Sequence, residues 1–215
     1  MKYWKTGNRL LRAMYPRRIW QMDDAAKKIY LSFDDGPHPR ITPWVLDLLR
    51  QYEAKASFFC IGKNVKEYPQ VYEQLLREGH VAGNHTMQHL NGWKTGDAEY
   101  LDDVRACSRW VDSKLFRPPY GKLTSFQSAL LQRQQYRIIM WSVLSGDFDK
   151  TIDGARCWAN VQANTRSGSI IVFHDSEKAY DRLTYALPRT LQTFTEQGYR
   201  FEAIRMDSVQ LTKRQ

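Results

Sequence analysis

A chain of 215 residues, 42% hydrophobic and 13% aromatic, holds enough apolar material for one large packed domain and is not a disordered or low-complexity protein. Its formal net charge of +9 favours an anionic partner or surface. The basic residues are scattered rather than gathered into one stripe with aromatics, which disfavours nucleic acid.

The first segment, "MKYWKTGNRLLRAMYPRRIW", is basic and aromatic but has no apolar core of signal-peptide length. No stretch reaches the roughly 18 apolar residues of a membrane helix. Residues 1–27 are therefore expected to form an arm packed against the domain. A cytoplasmic location is the expectation from the missing leader, with envelope association left open, and residues 208–215 are expected to be a tail.

From Lys28 onward, β-rich runs alternate with amphipathic helical stretches. Lys28 to Phe33 reads as the first strand, followed by the helix "TPWVLDLLRQY", with Pro43 where a first turn tolerates it. "ASFFCIG" is the second strand, "YPQVYEQLLREG" a helix stopped at Gly79, and "HVAGNH" the third strand. Asp97 to Ser113 reads as one long helix, and "KLFRPPY" as a short strand cut off by two prolines. After the helix "SFQSALLQRQ", the run "YRIIMWSV" carries the strongest strand signal in the chain. "IDGARCWANVQANT" is helical, "GSIIVFHD" is a strand, and "LTYALPRTLQTFTEQG" is a helix that Pro188 should start or kink. "YRFEAI" closes the series.

Roughly seven βα repeats with no Ser/Gly linker predict one α/β domain, a parallel sheet wrapped by helices as a barrel or a doubly wound open sheet. Polar residues fall at the C-terminal strand ends: Asp34 and Asp35, His85, Arg117, Asp147 and His174. That is the face on which parallel α/β folds build their sites. Cys60, Cys107 and Cys157 are too widely spaced for a zinc knuckle or a disulfide framework, and Cys107 and Cys157 are expected to be buried in helices.

"SFDDG" places two carboxylates side by side before Gly36-Pro37. A chain break there brings both to one site, where one binds a metal while the other takes a proton from water. "HTMQH" spaces His85 and His89 so that on a helical turn both rings face one way and chelate a divalent metal. Thr86 stands where the zinc-protease motif needs Glu. With a carboxylate from Asp34 or Asp35, the histidines make a two-His, one-carboxylate set with open positions for water and substrate. In "LFRPPYG", Arg117 is placed to clamp a carboxylate, and the rigid prolines aim the Tyr120 backbone N–H at a developing oxyanion. His174 shares that face and is a candidate general acid. Asp175, His38 and His80 carry weaker signals, with His38 at a cleft rim and His80 at the far end of its strand.

Read in order, "SFDDG", "HTMQH", "RPPY" and "VFH" resemble four motifs of the polysaccharide deacetylase family, the NodB-like domain of carbohydrate esterase family four. The resemblance covers about residues 28–207. It implies a distorted (β/α) barrel and metal-dependent removal of acetyl groups from an N-acetylated glycan, with peptidoglycan and chitin-like oligomers as leading substrates. Carried over, Asp35, His85 and His89 are the metal ligands, Asp34 the general base, Arg117 its partner, His174 the acid and Tyr120 the oxyanion donor. Zinc is the expected ion, with cobalt, nickel or manganese also suited to such ligands. The remaining motif departs from the family: in "MWSVLSGDFD", Leu144 replaces an Asp that normally supports the acidic histidine, and Phe148 replaces a Trp. Asp147 or Asp149 is the candidate substitute. Trp141, Phe148, Val172 and Asp147 are the expected pocket residues, Val172 standing for a usual leucine. The alternatives are an O-deacetylase or non-sugar amide hydrolase on the same metal site, and a non-catalytic glycan-binding domain.

Overall fold

The computed structural model describes residues 9–22 and 26–209. Eight strands run through them: β1 (Lys28–Asp34), β2 (Ala56–Cys60), β3 (Val81–Asn84), β4 (Leu115–Phe116), β5 (Arg137–Ile138), β6 (Val143–Leu144), β7 (Ile170–His174) and β8 (Arg200–Phe201). The helices are α1 (Arg9–Met14), α2 (Ile41–Gln51), α3 (Gly62–Glu67), α4 (Pro69–Arg77), α5 (Asp97–Ser108), α6 (Ser125–Arg133), α7 (Gly154–Asn164) and α8 (Tyr180–Glu196). The order across the sheet is β5-β4-β3-β2-β1-β7-β6, with β8 beside the start of β1. Every pair is parallel, so the sheet is the curled, distorted (β/α) barrel expected.

Alternation along β1 explains how the site is placed. Ile29, Leu31 and Phe33 face the helices, in one core with Val45, Leu46, Leu49, Leu183 and Leu187. There Phe33 stacks on Phe58 at 5.0 Å and on Phe173 at 6.2 Å between ring centroids. Full burial of each such ring contributes about 1.5–3 kcal/mol, enough to fix the register. The other face, with Tyr30, Phe59, Leu115, Ile139, Ile170 and Ile204, fills the barrel interior. Asp34 pairs in register with His174, and Ser32 with Val172, so the apolar pattern that buries Phe33 also turns Asp34 and His174 to the same side.

Several elements differ from the sequence expectation. "YRIIMWSV" is not one strand: β5 pairs with β4 at one sheet edge, and β6 pairs with β7 at the other. The residues between them cross the gap in the barrel. Their backbone bonds elsewhere, from Ile139 N–H to the Phe116 carbonyl and from Met140 N–H to the Ile19 carbonyl. The run is apolar because it is buried, and a buried connector needs partners as much as a strand does. The helix predicted to Ser113 stops at Ser108, where Trp110 and Val111 N–H both close on the Cys107 carbonyl. Helix α8 begins at Tyr180 and runs through Pro188. Packing along α7 holds it in spite of the missing N–H. The short α3 has no counterpart in the sequence reading.

In the arm, Trp20 and Met22 are buried, and Ile19 and Gln21 make isolated bridges to Ile139 and Ser169, on either side of the barrel gap. Residues 1–8, 23–25 and the tail from 210 lie outside the described residues. Val209 is buried in the interior core. Cys60, Cys107 and Cys157 are buried free thiols.

Candidate active site

Strand β1 ends at Asp34, and the chain breaks at Asp35 itself, whose φ is 82°. The break therefore falls one residue before the Gly36-Pro37 pair that the sequence points to, and the Gly36-Pro37 peptide is cis. A positive φ at a residue such as Asp35 persists only when the surroundings impose it. Here they do. Gly36 N–H donates to Asp175 Oδ1 (3.0 Å), the Thr42 hydroxyl donates to Asp175 Oδ2 (2.5 Å), and Asn64 Nδ2 donates to the Asp35 carbonyl (2.7 Å). A Cβ at Gly36 would lie 2.1 Å from Asp175, so only glycine fits. Burial pushes the Asp175 carboxyl up to about 7. Asp175→Ala leaves the Gly36 N–H and the Thr42 hydroxyl without their acceptor. A loss of about 1–3 kcal/mol is expected in urea unfolding, with the m-value unchanged.

The histidine loop is not the helical turn its spacing suggests. Thr86 and His89 both have positive φ, 65° and 58°. The loop is shaped instead by Asn84, whose Oδ1 accepts from Thr86 N–H, and by Asp103, whose Oδ2 accepts from Met87 and Gln88 N–H. The two rings still meet, with centroids 5.1 Å apart. His85 Nδ1 donates to the Arg117 carbonyl at 2.7 Å, which leaves the Nε2 lone pair free to ligate. Asp35 Oδ1 lies 3.2 Å from His89 Nε2 and 3.8 Å from His85 Nε2.

One ligand atom from each of Asp35, His85 and His89 lies within 4.8 Å of the others. This donor set fits a divalent transition ion such as zinc. Its protonation fits too. Burial, with the His89 charge adding to it against Asp34 and Asp35, lowers the His85 imidazole to about 4, so it is neutral at pH 7. Burial alone would raise the Asp35 carboxyl, but the His89 hydrogen bond and the charge of His174 outweigh it and keep the group ionised.

Two ion pairs flank the cluster. Arg117, fully buried, donates from Nη1 to Asp34 Oδ1 (2.7 Å) and to the Ser32 hydroxyl (2.8 Å), and from Nε and Nη2 to the Ile139 and Met140 carbonyls (3.2 and 3.1 Å). Its guanidinium lies 4.0 Å above the Phe59 ring. A buried charge held by this many partners is the arrangement that makes such a pair tolerable. On the other side, His174 Nδ1 lies 2.7 Å from Asp147 Oδ1, and Asp147 Oδ2 accepts from His174 N–H (2.7 Å). Burial alone would lower the His174 imidazole. The Asp147 charge and hydrogen bond, with Asp35 and Asp34 behind them, outweigh burial and push it up to about 9.

Tyr120 has a φ of 58°, and its N–H has no partner among the described residues; its ring tilts over His89 at 4.7 Å. Trp141 is half-buried beside Gly121, and Phe148 meets the His174 ring edge-on at 5.2 Å. Val172 is buried inside the barrel in register with Ser32 and Leu144. Asp147 is fully buried behind His174 and is not part of a pocket wall, because both its oxygens are taken by that residue. His38 sits at the rim near Glu177, and His80 is buried at the far end, edge-on to Phe58. Asn84, Asp103 and Thr42 shape the site without any motif signal; Asp175, only weakly signalled, and Ser32, inside the first motif but given no role there, shape it too. A polar residue at alternate positions of a buried strand was the available clue for Ser32.

A family model described as polysaccharide deacetylase matches residues 21–139. The chain is 37% identical over 191 residues to a peptidoglycan-N-acetylglucosamine deacetylase of Bacillus cereus, covering 86% of this chain and 90% of that one. It is 34% identical over 155 residues to a chitooligosaccharide deacetylase of Azorhizobium caulinodans, covering 68% and 73%. A crystal structure of a peptidoglycan N-acetylglucosamine deacetylase in complex with 4-naphthalen-1-yl-N-oxidanyl-benzamide superposes with a TM-score of 0.83 at 28% identity, covering 92% of this chain and 95% of that chain. The match runs through the paired aspartates, the histidine loop and Arg117, and with relatives of this closeness over most of both chains it establishes that the chain belongs to the polysaccharide deacetylase family.

Proposed function

We propose that the protein is a metal-dependent hydrolase that removes acetyl groups from N-acetylated sugars of a glycan of the peptidoglycan or chitin type. The observation that carries this reading is the Asp35/His85/His89 cluster lying between two clamped acid–base groups, Asp34 held by Arg117 and His174 held by Asp147. A divalent ion held by Asp35, His85 and His89 would supply Lewis acidity, polarising the acetamide carbonyl and acidifying water.

Asp34 accepts the proton of the attacking water. Arg117 keeps its carboxylate oriented for that role. The Tyr120 N–H, held at a strained backbone position, donates to the oxygen that gains negative charge as water adds to the carbonyl carbon. The C–N bond then breaks, and His174 gives its proton to the departing sugar amine, which leaves neutral. Each proton transfer is worth roughly 10²–10⁴-fold in rate. Trp141 and Phe148 stand beside His174 and Tyr120 as apolar surface for the acetyl methyl group. That both clamps are complete in this chain favours catalysis over a binding-only role.

The test is acetate release from N-acetylglucosamine oligomers by protein stripped with a chelator and then re-supplied with zinc, cobalt, nickel or manganese. Release is expected to vanish on stripping and return with metal. A metal-loaded protein that is silent on these oligomers but cleaves acetyl esters or other amides would overturn the sugar N-acetyl assignment.

A further inference from the structure

Four residues beyond His89, the loop presents Trp93, a large aromatic that is 60% exposed. Its backbone is not loose. The Gly92 carbonyl accepts from the buried Gln127 Nε2 at 2.9 Å, Trp93 N–H donates to Asn91 Oδ1, and a Cβ at Gly92 would sit 2.6 Å from the Lys122 carbonyl. Gln127 is fixed in turn by the capping box it forms with Thr124 at the start of α6. The Lys122 ammonium lies 3.8 Å from the centre of the Trp93 ring. Lys122 is two residues from Tyr120, whose ring covers His89. An exposed ring and a cation thus meet on two segments that also carry His89 and Tyr120, and the backbone that presents the ring is already held in place.

We infer that Trp93 and Lys122 form a subsite for a sugar next to the one being deacetylated, and that this subsite favours a glycan whose neighbouring sugar carries a carboxylate. The inference rests on the deacetylase reading. A pyranose presents a face of C–H groups with partial positive charge, which matches the negative face of an indole. The ammonium beside the ring is a point charge suited to a carboxylate, whether on a lactyl ether or on an attached peptide. Charge elsewhere on the rim agrees. On the Gln88 side of the histidine loop, Lys63 and Lys66 line a cavity of about 400 Å³ in which Glu67 is the only acidic residue, and Lys178 lies 5.6 Å from the Phe148 ring. A neutral chitin-type chain would use the ring but not the cation.

The experiment measures binding by calorimetry in zinc-loaded Asp34→Asn protein, with two tetrasaccharides of equal length: one of N-acetylglucosamine alone, the other alternating it with its lactyl-ether acid. Trp93→Ala is expected to weaken both by about 10-fold, the scale of a single well-placed aromatic anchor. Lys122→Gln should weaken only the acidic tetrasaccharide, by several-fold, and remove the salt dependence of its binding; Lys122→Arg should retain it. Unchanged binding in both Trp93→Ala and Lys122→Gln, each with parental melting, overturns the subsite. Equal weakening of the two ligands by Lys122→Gln overturns the carboxylate preference. Acetate release with unaltered binding in both variants would sink the subsite alone. Trp93-dependent binding without acetate release from the Asp34-intact protein would sink the deacetylase reading alone.

Discussion

Asp34→Asn is expected to lower turnover by about 10²–10⁴-fold while leaving zinc affinity close to that of the parent protein, because the change removes a proton acceptor and not a ligand. Asp34 does not belong to the Asp35/His85/His89 cluster; its Oδ1 is committed to Arg117. Asparagine keeps the shape and an acceptor oxygen toward Arg117, but no longer balances its charge. Breaking a buried pair by removing one partner costs about 3–5 kcal/mol, and the retained hydrogen bond should keep the loss toward or below that range. At about 2–4 °C per kcal/mol for a chain of this size, a fall in Tm of several degrees should accompany the loss of rate. His85→Ala should instead lose metal binding and turnover together. Acetate release at the parental rate in folded, zinc-loaded Asp34→Asn would remove Asp34 from the mechanism.

The chemistry was more legible in the sequence than the geometry. Aspartate, histidine and arginine at successive strand ends could be read because a buried strand gives a polar residue no bland use, and parallel α/β folds collect strand ends on one face. What could not be read were the backbone turns that make these side chains converge. Asp35, Thr86, His89 and Tyr120 all have positive φ, a conformation that Asp and His adopt more readily than most residues but that no spacing in the sequence announces. Partners far along the chain hold the segments around Asp35 and His89, Asp175 on Gly36 and Asp103 on the histidine loop. "YRIIMWSV" misled for a related reason. Its composition reports burial, and burial in a connector across the barrel gap looks the same as burial in a strand.

The departure at Leu144 leads to the second large effect. Leu144 points into the barrel in register with Val172, and the carboxylate that supports His174 comes three residues later, from Asp147. The loop places it by closing Asp147 onto both the ring and the backbone N–H of His174, so the same support reaches the histidine by a different route. Asp147→Asn removes the charge that, against burial, holds the imidazolium. His174 should then fall from about 9, with burial opposed only by the more distant Asp35 and Asp34. The sign follows from its proposed role as acid: activity then requires the protonated ring and is lost as pH rises through its pKa. The alkaline limb of kcat should therefore move to lower pH, leaving the variant about 10-fold or more slower than the parent at pH 8 and much closer to it at pH 6. Stability follows the same linkage. With its folded pKa raised, His174 contributes stability that is fully present below about 6.5 and is lost as pH rises through about 9, and Asp147→Asn should flatten that dependence. A pH–rate profile with an NMR titration of the His174 ring reads both quantities. An unmoved alkaline limb in a variant whose His174 titrates lower would show that another group protonates the departing amine.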